Sequence, residues 1–198
     1  MPAQYQGRFG YGDVWTWTAI DADSKFIVSW HIAKRGARDA EVFMKDLASR
    51  LANRVQLTSD GHHVYLQAVE EAFHRDVDYA QLVKIYGEDT QEQQEHRYSP
   101  AKCLGTRREA RIGRPDPDHT STSFVEKHNQ TMRQNMRRYT RLTARHSKKV
   151  ENHRYATALH FMHYNYARIG QTIRCAPAME AGISDHAWSI EELVSVSN

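Results

Sequence analysis

The feature that most limits the fold is a change of apolar period along residues 14–87. In "VWTWTAI", 14–20, Trp15 and Trp17 alternate with Val14, Thr16, Thr18 and Ile20. A period of two in β-branched and aromatic residues predicts a strand. "DADSK", 21–25, is turn chemistry, and "FIVSWHI", 26–32, reads as a second strand, so the two predict a hairpin. From Ala37 to Asn53 the period lengthens. Ala40, Phe43, Met44, Leu47, Ala48 and Leu51 fall at helical spacing and mark one core-facing stripe. A short apolar run, "VQLT", then predicts a strand ending at Asp60. Tyr65, Leu66, Val69 and Phe73 predict a second helix, and "YAQLVKIYG", 79–87, a further strand. Strand, strand, helix, strand, helix, strand predicts an α/β sheet whose later strands are parallel.

A chain of 198 residues is long enough for one domain with a core. Its apolar runs are only a few residues long, so no membrane span is expected. "MPAQYQGRFG" lacks the apolar stretch of a signal peptide. Cys103 and Cys175 lie far apart with no C-x-x-C, which fits a reduced compartment and not a disulfide framework.

Residues 88–118 break the pattern. They have no apolar period and three prolines, and read as a long basic insertion. Helical spacing returns with Val125, Met132, Met136 and Tyr139. A last long helix, about 148–169, is expected to carry Tyr155, Leu159, Met162, Tyr166 and Ile169 on one stripe. Gly170 would end it. The expected division is a core over 1–145 and a C-terminal helical segment over 146–198.

Three features carry chemistry. Asp60 stands at the carboxyl end of a parallel strand, where open α/β sheets place their active crevices. The ordinary use of Asp-Gly is simply a turn. Glu126 falls in "SFVE", 123–126, which matches the capping box S-x-x-E. That box alone accounts for a glutamate there, yet a first-turn carboxylate is also rigidly aimed. The third feature is charge. After Glu126 no acidic residue occurs before Glu151, while Lys127, Arg133, Arg137, Arg138, Arg141, Arg145, Lys148 and Lys149 lie between them. A solvated helix face normally mixes signs. This run, with Lys102, Arg107, Arg108, Arg111 and Arg114 upstream, reads as a phosphate-backbone footprint. Two carboxylates beside such a footprint suit phosphodiester chemistry on two Mg²⁺ or Mn²⁺ ions, held about 3.5–4 Å apart. His160 and His163 read as packing residues, and His62 and His63 as exposed turn residues. Trp15, Trp17 and Trp30 read as core residues of the sheet.

The chain resembles insertion-sequence transposases of the DDE superfamily, which have an RNase H-like fold. The matching stretches are "GDVWTWTAIDADSKFIVSW", "MKDLASRLANRVQLTSDGHHVYLQAVE", "VDYAQLVKIYG", "STSFVEKHNQTMRQNMRRYTRLTARHSKKVENH" and "FMHYNYARIGQTIRCAPAMEAGI". The resemblance implies an RNase H-like mixed sheet flanked by helices. It implies Asp60 and Glu126 as the second and third catalytic carboxylates and metal ligands. The activity implied is Mg²⁺-dependent cleavage at transposon ends and strand transfer into target DNA. The partner implied is double-stranded DNA, in a cytoplasmic, nucleoid-associated setting, with self-association or association with a full-length transposase.

In such relatives the first aspartate lies in a D-E-x-W-like segment on an earlier strand. Here two strands, not three, are read before the first helix. The expectation is a truncated copy that binds DNA and cleaves it weakly or not at all. Asp21 would stand in for the first aspartate only if 14–20 were the central, parallel strand. The competing expectation is a non-catalytic DNA-binding or assembly fragment that inhibits the full-length enzyme.

Overall fold

A computed structural model describes residues 14–86, 103–140 and 147–196. The protein is mixed α/β and divides into two compact units. One comprises residues up to Arg35 together with those from Phe124 onward, and the other is Gly36–Ser123. The boundary expected after residue 145 lies outside the described residues.

The first unit opens with the predicted hairpin, β1 (Trp15–Ile20) antiparallel to β2 (Ile27–Ala33). Its turn is closed by Asp21, whose Oδ2 accepts the Ser24 N–H at 2.9 Å and also the Ser24 hydroxyl. Lys25 adopts φ 62°, and its ammonium lies 3.8 Å from the centre of the Phe124 ring. Trp17 is buried as expected, but Trp15 is 46% exposed, with Arg35 stacked 4.6 Å from its ring.

The rest of this unit is helical: α3 (Ser123–Asn135), a 3-10 turn at Arg137–Tyr139, α4 (Val150–Met162), a π-helical turn at His163–Ala167, and α5 (Pro177–Glu180) and α6 (Ile190–Ser195). Ile27, Met132 and Phe161 form its core, lined by Ile20, Trp30, Tyr139 and Tyr164. The Tyr139 hydroxyl sits between Thr16 Oγ1 at 2.9 Å and Thr157 Oγ1 at 2.8 Å, tying strand, turn and helix together. Arg154 donates to the Ile32 carbonyl at 3.0 Å.

The predicted stripe on α4 is not the helix's buried side. Tyr155 and Leu159 are 68% and 64% exposed, and Ile169 beyond the helix is exposed too. The buried residues are instead Thr157 and Phe161, followed by Asn165 in the π turn. Hydrogen bonds from Thr157 and Asn165 make a partly polar inner face workable, because each buried polar group is satisfied.

The second unit carries α1 (Ala37–Ser49), β3 (Gln56–Asp60), α2 (Val64–Phe73), β4 (Asp78–Tyr86) and β5 (Cys103–Ile112). Helices α1 and α2 pack on each other, and Ala40, Phe43, Met44 and Leu47 are the buried stripe that the sequence predicts for α1. The sheet order is β3-β4-β5, with β3 parallel to β4 and β5 antiparallel to it. The insertion expected to be irregular thus contains a ten-residue strand. Arg54 fixes the base of β4. Its guanidinium forks onto Asp78 at 3.0 and 2.9 Å and donates to the Val77 carbonyl at 3.1 Å. Among the described residues, no helix is long and apolar enough to cross a membrane.

Candidate functional site

Asp60 is the last residue of β3 and is exposed. Its position follows from the β3–α2–β4 unit, in which a parallel strand must end in a turn that leads the chain into a helix. The Asp60 Oδ1 accepts the His62 N–H at 3.1 Å, an Asx-type contact that fixes the turn. Gly61 lets the turn approach β4 closely: a Cβ there would stand 3.1 Å from Val83 Cγ2, and Val83 would have to give by a few tenths of an ångström.

A polar layer that sequence reasoning missed supports the turn. Gln81, 1% exposed, donates through Nε2 to the carbonyls of Asp60 and His62, each at 3.3 Å. Its Oε1 accepts from Arg111 Nε at 3.1 Å, and Arg111 in turn pairs with Glu109. Ser59 and Tyr79 share a hydrogen bond of 2.7 Å, and burial pushes the Tyr79 hydroxyl above its ordinary pKa. One signal for this layer was legible: Tyr79 and Gln81 are polar positions of the same parity on a strand otherwise reading as apolar. The layer holds the Asp60 backbone on two sides. Asp60 therefore presents a fixed carboxylate with one oxygen turned to its own backbone, able to accept a donor or a hard cation on the other.

Glu126 lies in the first turn of α3 and is exposed. Ser123, the expected cap, is the first residue of the helix. Its N–H donates to Ser121 Oγ at 3.1 Å while its hydroxyl meets the same oxygen at 2.8 Å. Asp60 and Glu126 belong to different units. Asp21, considered as a stand-in for the first catalytic aspartate, serves as the acceptor that closes the β1–β2 turn.

A pair of Mg²⁺ ions needs several convergent carboxylate oxygens. Among the described residues, no three His, Cys, Asp or Glu side chains group to hold a metal.

The cations are the second element. Lys127 and Arg133 are exposed on α3, Arg137 and Arg138 on the 3-10 turn, and Lys148 and Lys149 at the start of α4. None of the six is in an ion pair among the described residues, although Arg138 donates to the Ser147 hydroxyl. Arg141 and Arg145 lie outside the described residues. Lys149 flanks the positive end of a helix, where a cation is unfavourable unless an anion joins it.

Behind α3, His128 is 3% exposed and packs edge-on to Tyr164 at 4.7 Å. Neither ring nitrogen has a hydrogen-bond partner, and the same holds for Nε2 of His160. Burial and neighbouring positive charge, from His160 and Arg168 in the first case and His163 and Arg168 in the second, push both imidazoles down to about 4.

Comparison of the chain with protein-family models, with curated proteins and with solved structures finds no match.

Proposed function

We propose that this chain is a DNA-binding protein of the DDE transposase type, built on an RNase H-like sheet. The observation that carries the reading is the set of six cations from Lys127 to Lys149 that are exposed and without an ion-pair partner among the described residues, in a stretch without a single carboxylate. Such a surface is self-repelling until a polyanion covers it. Duplex DNA, with one charge per about 1.7 Å of axis, is a polyanion suited to such a run of cations.

Support for the reaction type is separate. Asp60 ends a parallel strand, and Glu126 sits in the first turn of the helix that begins the basic run. Those are the two positions at which the resemblance sets catalytic carboxylates. In the proposed reaction Asp60 would be one of the carboxylates that take up Mg²⁺ or Mn²⁺ on transposon ends and target DNA. The β1–β2 hairpin and the parallel β3–α2–β4 unit are pieces that an RNase H-like sheet contains.

The test uses the purified chain and linear duplex DNA, with Mg²⁺ or Mn²⁺ present. The expected result is salt-sensitive binding, and nicking no faster than that of an Asp60→Asn control, because two carboxylates leave a metal pair under-ligated. Failure to bind duplex DNA at low ionic strength overturns the reading. Nicking clearly faster than the Asp60→Asn control shows instead a complete carboxylate site and makes Glu126→Gln the next variant.

A further inference from the structure

In the Gly36–Ser123 unit, a cleft of about 570 Å³ opens between α2 and the place where Tyr79 of β4 pairs with Ile112 of β5. That volume suits a small organic ligand. Two arginines line it from different elements: Arg75 from the turn that leaves α2, and Arg111 from β5. Neither guanidinium is used up. Arg75 meets Glu70 only at 3.6 Å, with the two side chains 80% and 60% exposed, and such pairs hold weakly. Gln81 and Glu109 take Nε and Nη2 of Arg111, and Nη1 is engaged by neither. The backbone at Arg75 is itself unusual. His74 and Arg75 follow one another in the left-handed region, at φ 48° and 69°, where residues with a Cβ are uncommon. Arg54 Nη1 braces that bend by donating to the Arg75 carbonyl at 3.1 Å. Strain of this kind gathers at ligand clamps.

We propose that this cleft is a binding site for a nucleoside phosphate. The two guanidiniums specify the charged end. A tetrahedral oxyanion offers oxygens to donors that share no plane, whereas a carboxylate offers its two in one plane. The rest of the lining specifies the other end. Leu66, 37% exposed, and Ile112 give apolar surface on which a flat ring can lie. Glu70, at the same cleft, repels a second phosphate but accepts a hydrogen bond from the amino group of a base. A phosphate alone would leave the apolar surface wet, and a nucleoside alone would leave the arginines unanswered. A free nucleotide and an unpaired nucleotide at the end of a DNA strand bring the same chemistry. The site stands apart from the Lys127–Lys149 run, which lies in the other unit.

The test is titration of the full chain with deoxyadenosine 5′-monophosphate, deoxyadenosine and inorganic phosphate, followed through the methyl signals of Leu66 and Ile112 by nuclear magnetic resonance. The expected result is saturable binding of the nucleotide with Kd below about 1 mM, about tenfold or more tighter than either fragment. Arg75→Ala and Leu66→Ser should each weaken it about fivefold or more. Both side chains reach solvent, and an unchanged urea midpoint will show that the variants fold. A duplex with a short single-stranded overhang separates the two sources. An overhang that binds more tightly than a blunt duplex, with the gain lost in Arg75→Ala, assigns the cleft to a strand end. Equal binding of the two duplexes, with the mononucleotide still bound, assigns it to a free nucleotide. Blunt-duplex binding should be the same for Arg75→Ala and the parent, so this test fails or succeeds separately from the DNA reading. No saturation at about 10 mM nucleotide, equal affinity for nucleotide and phosphate, or indifference to Arg75→Ala overturns the proposal.

Discussion

The side-chain amide of Asn165 pairs in both directions with the backbone of Ile27, accepting its N–H at 2.9 Å and donating to its carbonyl at 3.0 Å. Both contacts are buried, and they join residues 138 positions apart. In effect Asn165 acts as a one-residue strand neighbour to the start of β2. The π-helical turn from His163 to Ala167 is the local irregularity that carries it. Replacing Asn165 with leucine leaves a buried N–H and a buried carbonyl unpaired, at about 1–3 kcal/mol each. Asn165→Leu should therefore lose about 3 kcal/mol in urea unfolding. A loss below about 0.5 kcal/mol would mean that water replaces the amide without cost.

Acid should weaken the first unit through His128. The folded protein holds this imidazole at about 4, while the unfolded chain titrates near 6.5. The unfolded state therefore binds the proton first as pH falls. Stability from this group is complete above about 6.5 and is lost progressively down to about 4, amounting to about 3 kcal/mol across that window. His128→Phe keeps a ring against Tyr164 and has no nitrogen to protonate. Urea midpoints measured across the window should fall less steeply for the variant than for the parent. Parallel curves would assign the acid sensitivity to other groups.

Gly113 should tolerate no side chain. Its φ is +66°, and a Cβ there would lie 2.1 Å from Asp78 Oδ1 and 2.8 Å from Arg54 Nη2. A methyl group would have to displace the Arg54–Asp78 fork, the same contact that holds the Asp78 carboxyl down to about 2. Gly113→Ala is expected to cost more than about 2 kcal/mol. Gly105→Ala, on the neighbouring strand β5 but with open space around it, is the control that should stay close to the parent.

Binding to duplex DNA should report the unpaired cations through salt. Each cation seated on a phosphate adds about 0.9 to the slope of log K against log salt. Replacing Arg137 and Arg138 with alanine should flatten that slope by up to about 1.8, whatever the DNA sequence. An unchanged slope moves the footprint to other residues.

How far the sequence could be read depended on which side of each element was wet. Helix α1 was legible because Phe43, Met44 and Leu47 repeat at helical spacing and face inward. Strand β3 and the turn at Asp60 were legible for a related reason, a short apolar run stopped by Asp-Gly. Strand β5 was not, because Arg107, Arg108 and Arg111 leave no apolar alternation to detect. The buried side of α4 was not legible, because its inner face is specified by hydrogen bonding through Thr157 and by Phe161, while Tyr155 and Leu159 mimic a core stripe. At the candidate site, the carboxylate was visible but its support was not. Gln81 and Arg111 are 30 residues apart, and only folding makes one the neighbour of the other.

Strand β5 has one further consequence. Beyond β3, Val83–Tyr86 pair only with the start of β5, and the other edge of β5 has no strand neighbour among the described residues. Its outer N–H and C=O groups form a template onto which another extended chain could zip. Leu104, Ile85 and Tyr86, all exposed, would make such zipping adhesive. The arginines of β5 act against it, since stacking identical strands in register would place like charges about 4.8 Å apart. The guanidinium groups on this edge are thus guards of solubility, and concentrated stocks of the protein should be most prone to fibrous precipitation where high salt screens them.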